Sequence, residues 1–326
     1  MNLIFTDASP TAQELVSLLE KTDFEEIFHQ ADLLRRKTKG NDILIRGLLE
    51  FSSFCSRSCR YCGLNCSNRK LTRFRLEPSQ IVETALEAAE AGYRTIVLQS
   101  GEDRWYTPQV IGDMVKSIRK SGAAITLSCG EYPREVYEYW HSCGADRYLL
   151  KHETADPLLY AALHPDSTLE ARVQCLRDIK AVGMETGGGF MIGLPGQTLA
   201  TIAADLLLLR EIGCDMAGIG PFIPHPDTPL RDASPGDTEL TKRAVALARL
   251  LLPNANLPAT TALGVLDMTQ KRSVFDCGAN VIMQKVTPNQ VKRLYEIYPS
   301  HLTDVSIRDG RRAVEEEILR LGRVPV

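Results

Sequence analysis

From residue 43 onward, short apolar runs of strand type alternate with longer helical patterns, and this alternation restricts the fold more than any other feature. Strands that alternate with helices form right-handed βαβ crossovers and so build a parallel sheet. Eight such units in roughly 280 residues match an α/β fold of the TIM type, a closed (β/α)8 barrel, and an open sheet of the same units is the alternative. The predicted strands cover residues 43–50, 94–99, 123–128, 147–151, 185–192, 216–220, 258–262 and 279–283.

Helical patterns flank this alternating region on both sides. Two helices without evident chemistry are predicted first, over residues 13–21 and from Thr22 to a stop at Gly40. The charged residues 304–326 predict a helix that closes the barrel. We therefore divide the chain into an N-terminal helical extension over residues 1–42, a barrel over residues 43–300 and a C-terminal helical tail over residues 301–326 that packs on the barrel.

A loop directly after the first predicted strand carries Cys55, Cys59 and Cys62, with Tyr61 just before the third cysteine. Thiolates are the soft ligands of iron–sulfur clusters, and the C-x3-C-x2-C spacing suits three corners of a 4Fe–4S cube. The fourth iron is then left open and can bind a substrate. A structural zinc site is the alternative, because Cys66 lies close enough in sequence to serve as a fourth ligand.

The cysteine spacing resembles the signature of radical S-adenosylmethionine (SAM) enzymes, in which the amino and carboxylate groups of SAM bind the open iron. Gly101 would let the backbone approach such a ligand closely, and Glu102 or Asp103 could accept hydrogen bonds from its ammonium group. Arg172 is a bidentate candidate for the carboxylate, with a surface helix position as the alternative. Glu153 could accept from ribose hydroxyls or from the ammonium group.

Further polar or glycine-rich motifs directly follow the later predicted strands. Because TIM barrels build their active sites at the carboxyl ends of the strands, we expect these motifs to meet the cysteine loop at one end of the barrel. Met191, Met216 and Met283 could line an apolar cavity there, although methionine also serves as core filler. The motifs begin at Gln99, Ser128, His152, Gly193, Pro221, Thr260 and Met283.

Composition narrows the setting in which such a site would work. The 326 residues are 44% hydrophobic and 24% charged, with a net charge of −3, so neither nucleic acid nor an anionic membrane is expected as a partner. No stretch approaches the ~20 apolar residues of a membrane span, and the start lacks the pattern of a secretory signal. Nine cysteines without such a signal predict free thiols in a reducing cytoplasm.

Several longer phrases resemble the HydE family of FeFe-hydrogenase maturases over nearly the full length of the chain. One of these, GIGPFIPHPDTP at residues 218–229, is unusual enough to separate that family from other radical SAM proteins. Further phrases are IVLQSGED at 96–103, GADRYLL at 144–150, HET at 152–154, GLPGQT at 193–198, PATT at 258–261 and CGANVIM at 277–283.

This resemblance implies a SAM-cleaving maturase that helps to assemble the di-iron active site of FeFe hydrogenase. The implied substrate is an iron complex with carbonyl, cyanide and cysteine ligands, attacked at sulfur by a 5′-deoxyadenosyl radical. The implied partners are that small molecule, an external one-electron donor and other hydrogenase maturation proteins.

The resemblance also assigns residues to three groups. Cys55, Cys59 and Cys62 would hold one 4Fe–4S cluster and so carry the catalysis. A substrate pocket deeper in the barrel would use Arg147, Thr260, Thr261, Met283 and Tyr298. The contacts to SAM would come from Gln99, Ser100, Gly101, Glu153 and Arg172, with Tyr61, Glu102 and Met191 beside them.

The chain departs from the HydE family pattern at two points, and two other functions are alternatives. Nothing after Cys277 is cysteine, so no second cluster is expected there, and Lys151 stands where the family phrase has arginine. A methylornithine synthase-like enzyme that acts on a small amino-acid or thiol metabolite would share the fold and the cluster. A metal-stabilised binding protein without turnover is the alternative of another class.

Overall fold

Parallel strands surround the axis of a nearly closed barrel in the computed structural model, which describes residues 10–299 and 303–326. Neighbouring strands follow the order β6-β5-β4-β3-β2-β1-β8-β7, and all the pairs are parallel, which confirms the predicted α/β barrel. The strands are β1 (Asp42–Ser52), β2 (Thr95–Ser100), β3 (Ala124–Ser128), β4 (Arg147–Leu149), β5 (Glu185–Ile192), β6 (Met216–Pro221), β7 (Pro258–Ala259) and β8 (Val281–Lys285).

The barrel has its weakest junction between β6 and β7. Among the described residues, an isolated bridge from Met216 to Asn256, just before β7, is the only backbone pairing at this junction, with the Ala217 N–H donating to the Asn256 carbonyl at 3.1 Å. The strand β7 is shorter than the predicted 258–262 because a helix already begins at Thr261. That early helix start leaves Thr260 at a strand-to-helix corner, facing the barrel interior.

Helices connect the strands on the outside, and local sequence explains many of their starts. Threonine side chains cap α4, α7 and α8 by accepting from a backbone N–H of the first turn, and proline opens α3, α4 and α6. The helices are α1 (Ala12–Leu19), α2 (Glu25–Lys39), α3 (Pro78–Glu90), α4 (Pro108–Arg119), α5 (Arg134–Ser142), α6 (Pro157–Leu163), α7 (Leu169–Ala181), α8 (Leu199–Ile212), α9 (Thr238–Leu251), α10 (Thr261–Leu266), α11 (Met268–Ser273) and α12 (Ile307–Arg320).

The terminal segments pack on the outside of this core. Helix α1 lies against α8, and α2 lies against α9, so that Leu15 and Ala31 are fully buried. After α12 the chain adds a short strand, β9 (Val324–Pro325), which pairs in parallel with the start of β1 and was not predicted. The division at residues 42 and 43 stays a prediction, and the boundary at residues 300 and 301 lies outside the described residues.

The strand β1 delivers the cysteine loop to the carboxyl end of the barrel. All its residues from Ile45 onward are buried, as expected for a central parallel strand covered on both faces. Its register against β2 shifts between Glu50 and Ser52, immediately before the loop, and such irregularities re-aim the chain next to functional sites. No helix among the described residues is long and apolar enough to cross a membrane.

Candidate functional site

A cavity of about 370 Å³ opens at the carboxyl ends of the strands, where the sequence motifs were expected to meet. Its wall is mostly apolar with a few charged groups, which is typical of small-molecule sites. Most of the residues predicted for the site line it: Cys55, Cys59, Tyr61, Cys62, Gln99, Ser100, Gly101, Glu102, Glu153, Arg172, Met191, Thr260, Thr261, Met283 and Tyr298.

The structure does not bring Met216 to this cavity, because Met216 is the first residue of β6. Arg147, the predicted substrate contact, is also absent from the cavity wall. It is the first residue of β4, and its Nε lies 2.5 Å from the Glu185 carboxylate on the neighbouring strand. The cation that reaches the cavity from this segment is Lys151, four residues further along at the carboxyl end of the strand. Because a start position on a barrel strand faces the opposite end, the predicted substrate contact of Arg147 is not carried further.

Arg73 fixes the cysteine loop from outside. Its guanidinium donates to the carbonyls of Ser53, Leu64 and Asn65 at 2.5, 3.0 and 2.6 Å, so it ties the start of the loop to its end. Cys66 is exposed and does not line the cavity, unlike the other three cysteines of this segment. The loop therefore presents three thiols inward rather than four.

The three inward thiols are protonated in the cluster-free protein at neutral pH. Burial raises the pKa of each, to about 12 for Cys59, and the neighbouring thiols add to the rise at Cys59 and Cys62. Iron reverses this preference, because a coordinated thiol is deprotonated outright. Three soft ligands on one short loop fit a 4Fe–4S cluster, whose assembly at this loop would release their protons.

Gly101 lies where the β2 loop touches the cysteine loop. A Cβ at this position would meet the Phe54 carbonyl oxygen at 2.2 Å and the Cys55 Cβ at 2.8 Å, so no other residue fits without a shift of the backbone. The next N–H, of Glu102, donates to Cys55 Sγ at 3.3 Å. Such a bond stabilises a thiolate, and a hydrogen bond to a ligand sulfur changes the properties of the bound cluster.

Two carboxylates follow Gly101, and protein donors occupy both. Glu102 pairs with Arg57 at 3.0 Å and with Arg104 at 2.5 Å, although its side chain still lines the cavity. Asp103 pairs with Arg75 at 2.7 Å and lies outside the cavity wall. Of the two acceptors predicted for an ammonium group, only Glu102 therefore reaches the cavity.

Arg172 enters the cavity with part of its guanidinium already fixed by protein groups. Its Nε donates to Glu131 at 2.5 Å, and its Nη1 donates to the Lys151 carbonyl at 2.7 Å. Burial raises the pKa of Glu131, but the charges of Arg172 and Arg57 outweigh it and hold the pKa below its ordinary value. The remaining Nη2 has no hydrogen-bond partner in the described part of the chain and can meet a carboxylate.

Glu153 enters the cavity from the loop after β4 with an unusual backbone. Its φ is +65°, and it is the only residue other than glycine with a positive φ among residues 10–299 and 303–326. Its Oε2 lies 2.9 Å from Lys151 Nζ, an ion pair without hydrogen-bond alignment. A carboxylate held beside a lysine at the cavity wall can accept from hydroxyl or ammonium groups of a ligand.

Deeper in the cavity, polar groups come from β1, β7 and β8. Lys285 Nζ lies 2.8 Å from Glu50 Oε1, and burial raises the pKa of Glu50 more than Lys285 lowers it. Burial also raises the pKa of Tyr298, and the nearby Glu50 adds to this rise. The hydroxyl of Thr260 is buried without a protein partner in the described part of the chain, so a ligand could satisfy it.

Several groups that line or organise this cavity were not predicted from the sequence. Arg57 lies inside the cysteine loop, and Glu131 ends a motif after β3 that had been noticed without a role. Glu50 and Lys285 carried no motif that would mark them as cavity residues, whereas Lys151 had been noted only as a departure from the family phrase. Their inward direction follows from the strand register, which a single sequence does not contain.

Comparison with known proteins places this geometry in a family. Residues 49–209 match the family model described as the radical SAM superfamily. The chain is 51% identical over 290 residues to the FeFe hydrogenase maturase subunit HydE of Thermotoga maritima, an alignment that covers 89% of this chain and 83% of that protein. The chain belongs to the HydE family of radical SAM enzymes. This membership confirms the predicted family and enzyme class. It argues against the alternative of a metal-stabilised binding protein without turnover.

More distant relatives of this HydE-family chain agree on the fold. The 3-methylornithine synthase of Methanosarcina acetivorans is 27% identical over 94% of the chain and 86% of its own length. The crystal structure of methylornithine synthase (PylB) has a TM-score of 0.85 at 23% identity and covers 98% of this chain and 95% of its own. At 23% identity this likeness supports the barrel fold, and it does not identify the substrate.

Proposed function

We propose that this enzyme cleaves SAM reductively at one 4Fe–4S cluster and acts as a maturase in assembly of the di-iron site of FeFe hydrogenase. The observation that carries the proposal is the meeting of three half-buried thiols with Gly101, Glu153 and Arg172 around one cavity. The bound cluster and SAM would supply the chemistry, one-electron cleavage of the sulfonium to a 5′-deoxyadenosyl radical.

The residues of the chain bind and orient in this proposal. Cys55, Cys59 and Cys62 hold three irons, and the close approach at Gly101 brings backbone to the ligand on the open iron. Arg172 Nη2 meets the carboxylate of SAM, and Glu153 accepts from its ammonium or ribose hydroxyls. Gln99 and Ser100 lie on the same wall, with Gln99 Nε2 3.4 Å from Ser128 Oγ.

Tyr61 and Met191 form part of an apolar cluster at the rim of the cavity, together with Leu163, Leu194 and Phe222. In the proposal this cluster covers the bound SAM and excludes water, because a deoxyadenosyl radical needs a closed cavity to avoid side reactions. Tyr61 itself is fixed by its hydroxyl, which lies 3.1 Å from His164 Nε2.

The substrate of the proposal occupies the deeper part of the cavity. An iron complex with carbonyl, cyanide and cysteine ligands carries negative charge and polar ends, which Lys151, Lys285 and the Thr260 hydroxyl could bind. Thr261, Met283 and Tyr298 supply the rest of that wall. An external donor provides the electron, and other maturation proteins would receive the product.

The test reconstitutes the protein anaerobically with iron and sulfide, reduces it, adds SAM and measures 5′-deoxyadenosine by chromatography. Cys55→Ala should lose both the brown cluster absorbance and SAM cleavage. Cys66→Ala is the matched control and should keep both, because Cys66 does not line the cavity. Cleavage that persists in Cys55→Ala would overturn the cluster assignment.

A second arm of the test identifies the substrate. The iron–cysteine complex should increase deoxyadenosine formation or divert it into an adenosylated product. If that complex has no effect and a small thiol-bearing amino acid does, the function is that of a methylornithine synthase-like enzyme. This alternative has one observation in its favour, since Lys151 replaces the arginine of the HydE phrase at the cavity wall.

A further inference from the structure

Glu153 sits at the centre of a three-residue turn that few side chains tolerate. The Thr154 N–H donates to the His152 carbonyl at 2.8 Å, across Glu153 with its φ of +65°. This is the positive-φ form of the γ-turn, which is rare and strained. Such a conformation costs on the order of 1–3 kcal/mol and persists only where its surroundings hold it.

One side of the turn is held by β5. The Glu153 N–H donates to the Gly189 carbonyl at 3.0 Å, and the Glu153 carbonyl accepts from the Met191 N–H at 3.1 Å. These two bonds attach the backbone of Glu153 to the barrel. The two bonds do not fix the residues on either side of Glu153. Those neighbouring residues set the direction of the Glu153 side chain.

A single carboxylate from α8 contacts both flanks of the turn. Asp205 Oδ1 accepts from the Ala155 N–H, two residues after Glu153, and lies 3.3 Å from Nε2 of His152, the residue before it. The side chains of Asp205 and His152 are fully buried. The imidazole packs directly against the carboxylate, although the two groups are not aligned for a hydrogen bond.

Asp205 is out of place by the ordinary pattern of an apolar helix face. It lies on α8 among Ile202, Leu206 and Leu209, all of which are buried. Burying a carboxylate among such residues costs several kcal/mol unless specific partners compensate for the lost water. The partners here are the two flanks of the Glu153 turn.

We propose that Asp205 is a positioning residue for SAM, which acts by anchoring the strained turn that points Glu153 into the cavity. His152 transmits this effect from the side before the turn, and the Ala155 N–H from the side after it. The inference rests on the proposed contact between Glu153 and SAM. It assigns the fixed direction of that carboxylate to a residue on the helix layer, outside the cavity wall.

Two substitutions at Asp205 separate the contributions of its charge and its hydrogen bond. Asp205→Ala removes both, whereas Asp205→Asn keeps an oxygen for the Ala155 N–H. Asp32→Asn is the control, since Asp32 is also a buried, ion-paired carboxylate but lies on α2, far from the cavity. Glu153→Gln, alone and combined with Asp205→Ala, completes a double-mutant cycle.

The first measurement is hydrogen–deuterium exchange of the cluster-free protein, followed by mass spectrometry of the peptide that spans residues 150–158. Asp205→Ala should raise exchange in this peptide with little change elsewhere in the barrel, and Asp205→Asn should restore part of the protection. Unchanged exchange in this peptide for Asp205→Ala would overturn the proposal, and it would do so independently of any cofactor.

The second measurement is the Kd of the reconstituted protein for SAM. Asp205→Ala should weaken binding about tenfold, the equivalent of one lost buried hydrogen bond. It should add less than about twofold on top of Glu153→Gln, because the two residues act through one contact. The KM for SAM should rise more than kcat falls, and Asp32→Asn should leave the Kd unchanged.

Additive losses in the cycle would overturn the proposal, because they would mean that Asp205 supports the fold and not Glu153. Failure of the wild-type protein with a verified cluster to bind SAM would refute the proposed function instead. The exchange measurement keeps these two failures distinguishable.

Discussion

The two ends of the barrel interior differ in how their charged side chains are paired. At the carboxyl end, Arg57, Lys151, Arg172 and Lys285 each lie against a carboxylate. Below them lies a smaller cavity of about 40 Å³, where the buried Arg46 forms no ion pair with a carboxylate of residues 10–299 or 303–326. Its Nη1 meets only the sulfur of Met216, and its Nε has no hydrogen-bond partner in the described residues.

The difference shows what each end contributes. Paired charges at the carboxyl end keep donors and acceptors in fixed directions before a ligand arrives, which is the arrangement that favours catalysis. At the other end, burial and the nearby charge of Arg147 together lower the pKa of Arg46 to about 10, although the charge of Glu185 opposes them. A buried cation that is only partly compensated lowers the free energy of unfolding, so the two ends should respond in opposite directions to loss of charge.

The largest expected effect comes from the contact that joins the β2 loop to the cysteine loop. Gly101→Ala should lower cluster content at least about tenfold, measured as iron per protein, because its Cβ would clash with the backbone of Phe54. Gly218→Ala is the control, since its Cβ would have no neighbour closer than 3.9 Å although Gly218 also lines the cavity. A normal cluster in Gly101→Ala would contradict the geometry.

The second effect tests the paired end. Glu131→Gln leaves Arg172 and Arg57 with less compensating charge and should lower the free energy of unfolding by about 3 kcal/mol in urea denaturation. The low pKa of Glu131 means that its contribution is present above the ordinary carboxyl range and is lost as pH falls through the folded pKa. Glu185→Gln, which breaks the partly exposed pair with Arg147, should cost less than about 1 kcal/mol.

A third effect concerns pH at the same end. Burial and, to a smaller extent, the charge of Arg172 lower the pKa of His164 to about 4. The unfolded chain therefore binds the proton more readily, so this residue removes stability as pH falls from about 6.5 towards 4. His164→Gln should reduce the loss of unfolding free energy between pH 7 and pH 5 by about 2 kcal/mol.

The control for that pH experiment is His29→Gln, because His29 is exposed on α2. It should leave the loss of unfolding free energy between pH 7 and pH 5 unchanged. Equal acid sensitivity of wild type and His164→Gln would mean that the imidazole is protonated in the folded protein.

The smallest effect tests the unpaired end. Arg46→Met should leave the free energy of unfolding unchanged or raise it by about 1 kcal/mol, because it removes a buried cation that lacks a carboxylate. Arg249→Met is the matched control, since burial also lowers the pKa of Arg249 to about 10. Unlike Arg46, it donates to three backbone carbonyls and to Asn280 within 3.0 Å.

Arg249→Met should therefore destabilise by about 2 kcal/mol or more, through the acceptors that it leaves buried. If Arg46→Met destabilises as strongly as Arg249→Met in urea denaturation, the two ends of the barrel do not differ in the way described.

The sequence alone predicted the barrel and the positions of its motifs, because alternating strands and helices admit few topologies. The spacing of three cysteines indicated the loop with Cys55, Cys59 and Cys62. A position just after a predicted strand indicated Glu153. What could not be predicted depends on partners far away in the chain. Arg147 was assigned to the cavity although it starts its strand, and the pairing of Glu131 with Arg172 joins two different loops.

Burial of the three thiols has a consequence for the protein before it receives its cluster. The thiolate, rather than the thiol, reacts with peroxide and with disulfides. Because their raised pKa values keep Cys55, Cys59 and Cys62 protonated at neutral pH, the empty loop should resist oxidation to sulfenic acid or to an internal disulfide. The same burial that iron must overcome thus preserves the cysteines chemically until iron arrives.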